Sequence, residues 1–410
     1  MVDVWLPYNR TEVHVRIPSE NFVEVVEVHE KPGTRDASRE IEKAIEGLFS
    51  EKIEGGKVTL ALNIPDTTLA KLIVNSVMRE MMRIGLKNGD LTVVLANNPL
   101  TLRSAVIEQL KGEIASPEVS VSVHDPVHNN LYVGDLEGGV KVYLNRAFAE
   151  ADIRIVASIV EPDPYIMYNC CETGVSLGLT GLETIRDNLI PILSAENIQE
   201  RIFERAVNIS RLVRVDYSIG IVRNLGGEIV ACFSGRPDIV MQESLSTVDS
   251  LYKVTLKEKS NVVIISPGGS PFDTDIFGAC RCLENALKAV GRDGIIILVA
   301  ECSGGYGEIK FHQAIKRANG NLNLLEQALK DNFSVSGFIA YRFLRAFKKA
   351  EIIMATAAPD YYSREIPGLK IYRTVNEALN YALNKIGSKA KVIAIPHGNL
   401  IIPVTKSEAF

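Results

Sequence analysis

Between residues 161 and 179 the chain reads EPDPYIMYNCCETGVSLGL, directly after the apolar run ADIRIVASIV. The stretch carries Glu161 and Asp163, Tyr165 and Tyr168, and the adjacent Cys170 and Cys171, interrupted by Pro162, Pro164, Gly174 and Gly178. Asp163 between two prolines has the chemistry of a proton acceptor or a metal ligand, although aspartate before proline is also ordinary turn chemistry. Glu161 and Asp66 would extend it to the oxygen-rich set that a divalent cation prefers, or would serve as a loop brace and a helix cap. Cys170, Cys171 and Cys302, with Cys280 and Cys282 nearby in type, offer soft ligands for a metal or an iron–sulfur cluster. Against that, free cysteine is a normal small core residue, Cys280 and Cys282 are two apart on a helical pattern, and no CxxC pair exists.

Further groups follow the same logic. VHDPVHNN brings His124, Asp125 and His128 together as an acid–base or ligand group, or as a merely solvated loop. SPGGSP and SGGYG are glycine-rich turns that can present backbone N–H groups to an anion, but neither matches a Walker or dinucleotide fingerprint. His397 ends a strand pattern and is a better site candidate than His312, which falls on a helix.

These residues share a position relative to the elements that carry them. Asp66, Asn97, Asn98, His124, Asp125, Glu161 and Asp163 each follow an expected strand, and Ser270, Asp273, Cys302, Asp360 and His397 do so in the second half. Loops leaving the carboxyl ends of parallel strands line ligand crevices. The strands are KVTLALNI, LTVVLAN, EVSVSVH and ADIRIVASIV, then NVVIIS, GIIILVA, EIIMATA and KVIAIP. Helical periodicity is clear in AKLIVNSVMREMMRIGL, present in LTLRSAVIEQL and SAENIQERIFERAVNISRL, and VDYSIGIVRNLGGEIVACFSG reads as a hairpin turned at Asn224 to Gly227. The alternation of short β-branched runs with helices predicts an α/β fold of two domains, each a mainly parallel sheet flanked by helices, with a ligand cleft between them. The polar stretch TLKEKSN places the boundary near residue 256, giving domains 1–255 and 256–410.

A chain of 410 residues with 46% hydrophobic content is long enough for two cores. A net charge of −5 gives no electrostatic reason to expect nucleic acid or an anionic membrane as a partner. No apolar run reaches the roughly 20 residues of a membrane span, and MVDVWLPYNR lacks the regions of a secretory signal, so the expected location is cytoplasmic.

The order of residues in the 161–189 stretch resembles the lactate racemase family. WLPYNRTEVHVRIP, NRAFAEADIRIVASIVEPD, ISPGGSPFDTDIFGACR and VAECSGGYGE extend that resemblance over nearly the whole chain. It implies two α/β domains and a nickel-pincer nucleotide. It further implies a lysine bonded to that cofactor, a histidine on nickel, two histidines exchanging the substrate proton, and an arginine holding the substrate carboxylate. At those positions this chain carries Thr173 for the lysine, Leu189 for the nickel histidine, Asp163 and Leu100 (or Asn98) for the catalytic histidines, and Leu69 for the arginine. The family aspartate is kept as Asp66. The family's glutamine and lysine pair falls on Gly278 and Arg281, and its tryptophan on Phe338. The substitutions predict that the pincer cofactor is absent and that family-type racemisation does not operate. The expected ligand is a small hydroxy acid or related anionic metabolite, held by Arg281, Tyr165, Tyr168 and Phe338. If the protein is an isomerase, its chemistry would rest on Asp163, Asp66 and His124. A non-catalytic binding or regulatory relative, and a metalloenzyme using Cys170, Cys171 and Cys302, are the alternatives.

Overall fold

The structure, a computed structural model, describes residues 1–49, 56–100, 104–115 and 119–405. The chain divides into two compact units. The first comprises Glu30–Glu161 and Ile166–Leu251, and the second Met1–His29, Pro162–Tyr165 and the chain from Tyr252 on.

The sheet of the first unit has the order Ile229–Gly235, Tyr217–Arg223, Ile153–Asp163, Val58–Asn63, Leu91–Leu95, Ser120–Val123, with Met167–Asn169 paired to Ile153–Asp163 off that path. Along the main path its neighbours are parallel except for the hairpin of the first two strands. Val58–Asn63 is buried at every position, which is why it reads as a continuous apolar run: helices cover both faces of a central parallel strand. On one face Leu60, Val93 and Ile155 pack with Ile73, Val77 and Met81 of the helix Thr67–Ile84. On the other, Ala61, Val94 and Val156 pack with Val175 of the helix Cys171–Gly178 and Ile209 of the helix Ile198–Val213. The chain winds from Val58–Asn63 first to one side and later to the other, so the topological switch point lies between that strand and Ile153–Asp163.

The second unit has an all-parallel six-stranded sheet in the order Lys370–Tyr372, Glu351–Ala355, Val290–Val299, Ser260–Ile265, Val392–Ile395, Phe22–Val25. Its switch point lies between Ser260–Ile265 and Val392–Ile395. The N-terminal hairpin Val2–Tyr8 and Thr11–Ile17 adds Val4, Leu6, Val15 and Ile17 to this unit's core.

Three features depart from the sequence reading. The first 29 residues group with the second unit rather than with 30–255, because Phe22–Val25 pairs with Val392–Ile395. Residues 130–145, to which no strands were assigned, form the antiparallel pair Asn130–Asp135 and Lys141–Asn145, turned through Gly138 and Gly139 at positive φ. The stretch 161–178, whose prolines and glycines read as one ordered loop, contains the end of a strand, the short strand Met167–Asn169 and the helix Cys171–Gly178. That helix forms despite two glycines because they let it approach the sheet closely. A Cβ on Gly178 would stand 2.8 Å from the Ala96 Cβ, so packing overrides the low helix propensity of glycine. The expected helix LTLRSAVIEQL is observed as Ser104–Ile114, with residues 101–103 outside the described set. Among the described residues no helix is long and apolar enough to cross a membrane.

Candidate functional site

Four of the residues singled out from sequence meet within the second unit: Asp163, Tyr165, Arg281 and Phe338. Arg281 is carried by the short 3-10 turn Cys280–Cys282, which follows the helix Ile276–Ala279 capped by Asp275, whose carboxylate accepts the Gly278 N–H at 2.8 Å. An Arg281 Nη donates to Asp163 Oδ2, while Asp163 Oδ1 accepts the Tyr165 N–H at 2.8 Å, so the proline-bracketed turn folds around its own aspartate. The guanidinium also lies 5.5 Å from the Tyr165 ring centroid, and the Tyr165 ring meets Phe338 edge to face at 6.1 Å. Burial, then the Cys280 thiol and Glu284, push the Tyr165 phenol well above its ordinary pKa, so it acts as a neutral wall. One donor is left over. Arg281 Nε is buried and has no hydrogen-bond partner among the described residues, a state that costs about 1–3 kcal/mol.

Beside it stands a pair that sequence reasoning missed. Arg342 donates through Nε and Nη to the two oxygens of Glu284, both at 2.6 Å, a bidentate fork in the interior of the second unit. The available signal was a charge set inside each of the apolar helical runs LENAL and AYRFL, 58 residues apart. Asp273 also has a structural place: its Oδ2 accepts the Asn9 N–H at 2.6 Å and the Glu301 N–H at 3.3 Å, pinning the N-terminal hairpin turn to a strand end.

Asp66, His124 and Tyr168 do not join this arrangement and have bonds of their own. Asp66 is exposed and caps the helix Thr67–Ile84, accepting the Leu69 N–H at 2.9 Å. His124 is buried with its Nε2 2.9 Å from the Thr180 carbonyl and its Nδ1 3.4 Å from Asn145 Nδ2. Nε2 therefore donates and Nδ1 accepts, leaving neither nitrogen for a substrate proton. Burial lowers its pKa, opposed by the Thr180 carbonyl and Asp125. Tyr168 lies in the first unit, not beside Tyr165, and donates to Asp249 Oδ1 at 2.6 Å. All six cysteines are buried and unpaired. Burial raises the thiols of Cys170, Cys171 and Cys302 far above their ordinary range and that of Cys280 to about 12, which disfavours the thiolate a metal needs. Cys170 and Cys171 belong to the first unit and Cys302 to the second. Among the described residues no three His, Cys, Asp or Glu side chains are grouped to hold a metal ion.

The positions to which the resemblance assigns the pincer chemistry lie in the interior of the first unit. Thr173, Leu189, Leu100 and Leu69 are between 0% and 7% exposed. Thr173 Oγ1 accepts the Cys170 N–H at 2.8 Å, and its proton faces the Tyr168 and Cys170 carbonyls at 3.1 and 3.2 Å, closing the first turn of the helix Cys171–Gly178. Asn98, the alternative to Leu100, is buried with its Oδ1 on the Leu100 N–H at 3.0 Å. A hydroxyl committed to its own helix start cannot form the lysine's link, and leucine cannot ligate nickel. These residues do not fit a nickel-pincer nucleotide.

Comparison with known proteins bears on this arrangement. Residues 8–199 match the model of the lactate racemase N-terminal domain, and residues 255–403 that of the lactate racemase C-terminal domain. The lactate racemase of Thermoanaerobacterium thermosaccharolyticum is 20% identical over 98% of this chain and 99% of its own length. That of Lactiplantibacillus plantarum is 21% identical over 97% and 99%. The solved lactate racemase apoprotein from T. thermosaccharolyticum superposes with a TM-score of 0.84, at 18% identity, covering 98% of this chain and all of that one. A Thermotoga maritima protein structure matches with a TM-score of 0.62 at 15% identity, over 92% of this chain and all of that one.

Proposed function

The chain belongs to the lactate racemase family, and from that premise we propose that it binds a small hydroxy acid or related anionic metabolite at Arg281, without the family's pincer chemistry. The observation that carries this reading is the guanidinium of Arg281: an Nη is bonded to Asp163, while Nε is buried without a partner among the described residues. A ligand carboxylate placed on Nε and Nη would satisfy the orphaned donor and gain the bidentate geometry that arginine favours. Tyr165 and Phe338 supply the apolar walls of such a site.

Turnover of the ligand is the second reading, and it has one support: a ligand that takes Arg281 would displace it from the Asp163 carboxylate, a group able to accept a proton. Isomerisation at a stereocentre also needs a group to return the proton from the opposite face, and His124 and Asp66 are committed to structural bonds. We therefore take binding rather than turnover as the function. The metalloenzyme alternative draws no support from thiols that burial holds protonated.

Calorimetric titration with D-lactate, L-lactate and a panel of small hydroxy acids tests the proposal, alongside chiral analysis of the recovered ligand. At least one acid should bind, Arg281→Ala should weaken it by about 1.5–3 kcal/mol, and its enantiomeric composition should stay unchanged. Equal affinity for both proteins, or no binding, removes the reading, and a changed enantiomeric ratio replaces it with catalysis.

A further inference from the structure

In the second unit the helices Ile309–Ala318 and Leu322–Asp331 and the start of Val335–Ala346 enclose a groove of about 610 Å³ that has no part in the Arg281 site. That volume falls in the ordinary range for small-molecule pockets, roughly 300–1,000 Å³. Buried Ala318, Leu325, Leu329 and Phe333 line it, and Leu324 on its edge is 58% exposed although it is a large aliphatic side chain. Leu324 and Ala328 are four apart, so they stand on one face of their helix and continue the apolar lining outward.

The polar part of the lining is unbalanced. Lys310 and Arg317 are seven residues apart on one helix and both line the groove, and neither has an ion-pair partner among the described residues. The one acid in the lining, Asp331, is engaged by Gln327 Nε2 at 2.9 Å, and nearby Lys330 is paired with Glu326 at 2.8 Å. The start of the helix Val335–Ala346, represented in the lining by Ser334 and Gly337, adds partial positive charge. The lining carries two cations against the one carboxylate of Asp331, a net positive charge that favours an anionic head over an ammonium. An unbranched chain ending in a carboxylate matches both parts of the groove.

We propose that this groove is a binding site for a free, single-chain amphipathic carboxylate, its tail against Leu325, Leu329 and Phe333 and its head between Lys310 and Arg317. Octanoate is the probe, with octylammonium and octanol as controls, titrated calorimetrically against the full chain. Octanoate should bind, and octylammonium should not. The double variant Lys310→Ala/Arg317→Ala, which alters only exposed side chains, should weaken octanoate about tenfold, the sum of two exposed charge contacts. Ala328→Glu, an exposed position on the groove's edge, should weaken it further by adding a like charge. Binding of all three probes alike, failure of octanoate to bind, or insensitivity to the double variant would overturn the proposal. So would sedimentation showing a self-associated chain that Ala328→Glu dissociates, since a second copy would then be the occupant.

Discussion

The start of the helix Cys171–Gly178 and the turn that carries Arg281 differ in how completely their polar groups are bonded. At the first, every polar group of Thr173 is bonded to the backbone that begins its own helix, and the neighbouring family positions are filled by leucine. At the second, charge is retained. Arg281 keeps a buried donor without a partner and shares a carboxylate with its own chain, while Glu284 and Arg342 hold a complete fork next to it. Thr173 is thus fully committed to local structure, with no group left over for a ligand. A buried charge whose hydrogen bonding is incomplete is where a ligand has something to add.

The widest separation between the two regions should come from restoring the family's lysine. Thr173→Lys would force an ammonium into a closed interior position, and a loss of about 4 kcal/mol, equivalent to a depression of roughly 3 pKa units, is expected in urea unfolding. Wild-type stability in that variant would show that the region still has room for a functional amine. In the second region, Arg342→Met leaves Glu284 buried and unpaired and should cost about 3 kcal/mol, at the lower end for a broken interior ion pair. A near-neutral result would mean that the fork is a local ornament and not a support for the Arg281 site. Thr173→Val keeps shape and removes the hydroxyl that closes the helix start, for which about 1 kcal/mol is expected.

The smallest effects are pH-linked and opposite in sign, both within the first unit. Burial holds His124 below its ordinary 6.5, so its contribution is intact above that value and is lost as pH falls through the folded-state pKa. His124→Gln should flatten the acid side of the stability profile. Burial instead raises Glu172 above 4.5, with its Oε2 unpartnered, so its contribution is present below 4.5 and is lost as pH rises through the folded-state value. Glu172→Gln should therefore gain on the wild type as pH increases past 4.5. Thermal melts across pH check both, and parallel profiles for wild type and variant would show that the group is not responsible.

The sheets were legible because parallel strands buried on both faces are continuous β-branched runs, as in Val58–Asn63 and Ser260–Ile265. The hairpin turned at Asn224 to Gly227 was legible from its turn residues. Pairings across long separations were not. Phe22–Val25 joins a strand near residue 392, and nothing local in the sequence distinguishes that partner from another edge. In the site, residue types were readable and their commitments were not. Asp163 and Arg281 were named separately as acceptor and anion holder, but they are 118 residues apart and bond to each other. His124 read as an available histidine in a polar loop because burial and the Thr180 carbonyl are supplied by the fold. Asp66 is the case in which a helix cap, the plainer of its two readings, is what the chain builds.

If Asp163 occupies Arg281 in the place of a ligand's carboxylate, the two residues must affect binding in opposite directions. The decisive measurement is the affinity of Asp163→Asn for the tightest-binding hydroxy acid, compared with wild type and Arg281→Ala. Removing the internal competitor should tighten binding by about tenfold, the scale of one charge-assisted contact released, while Arg281→Ala weakens it. If Asp163→Asn weakens binding as Arg281→Ala does, the aspartate supports the ligand instead of excluding it, and the displacement account is wrong.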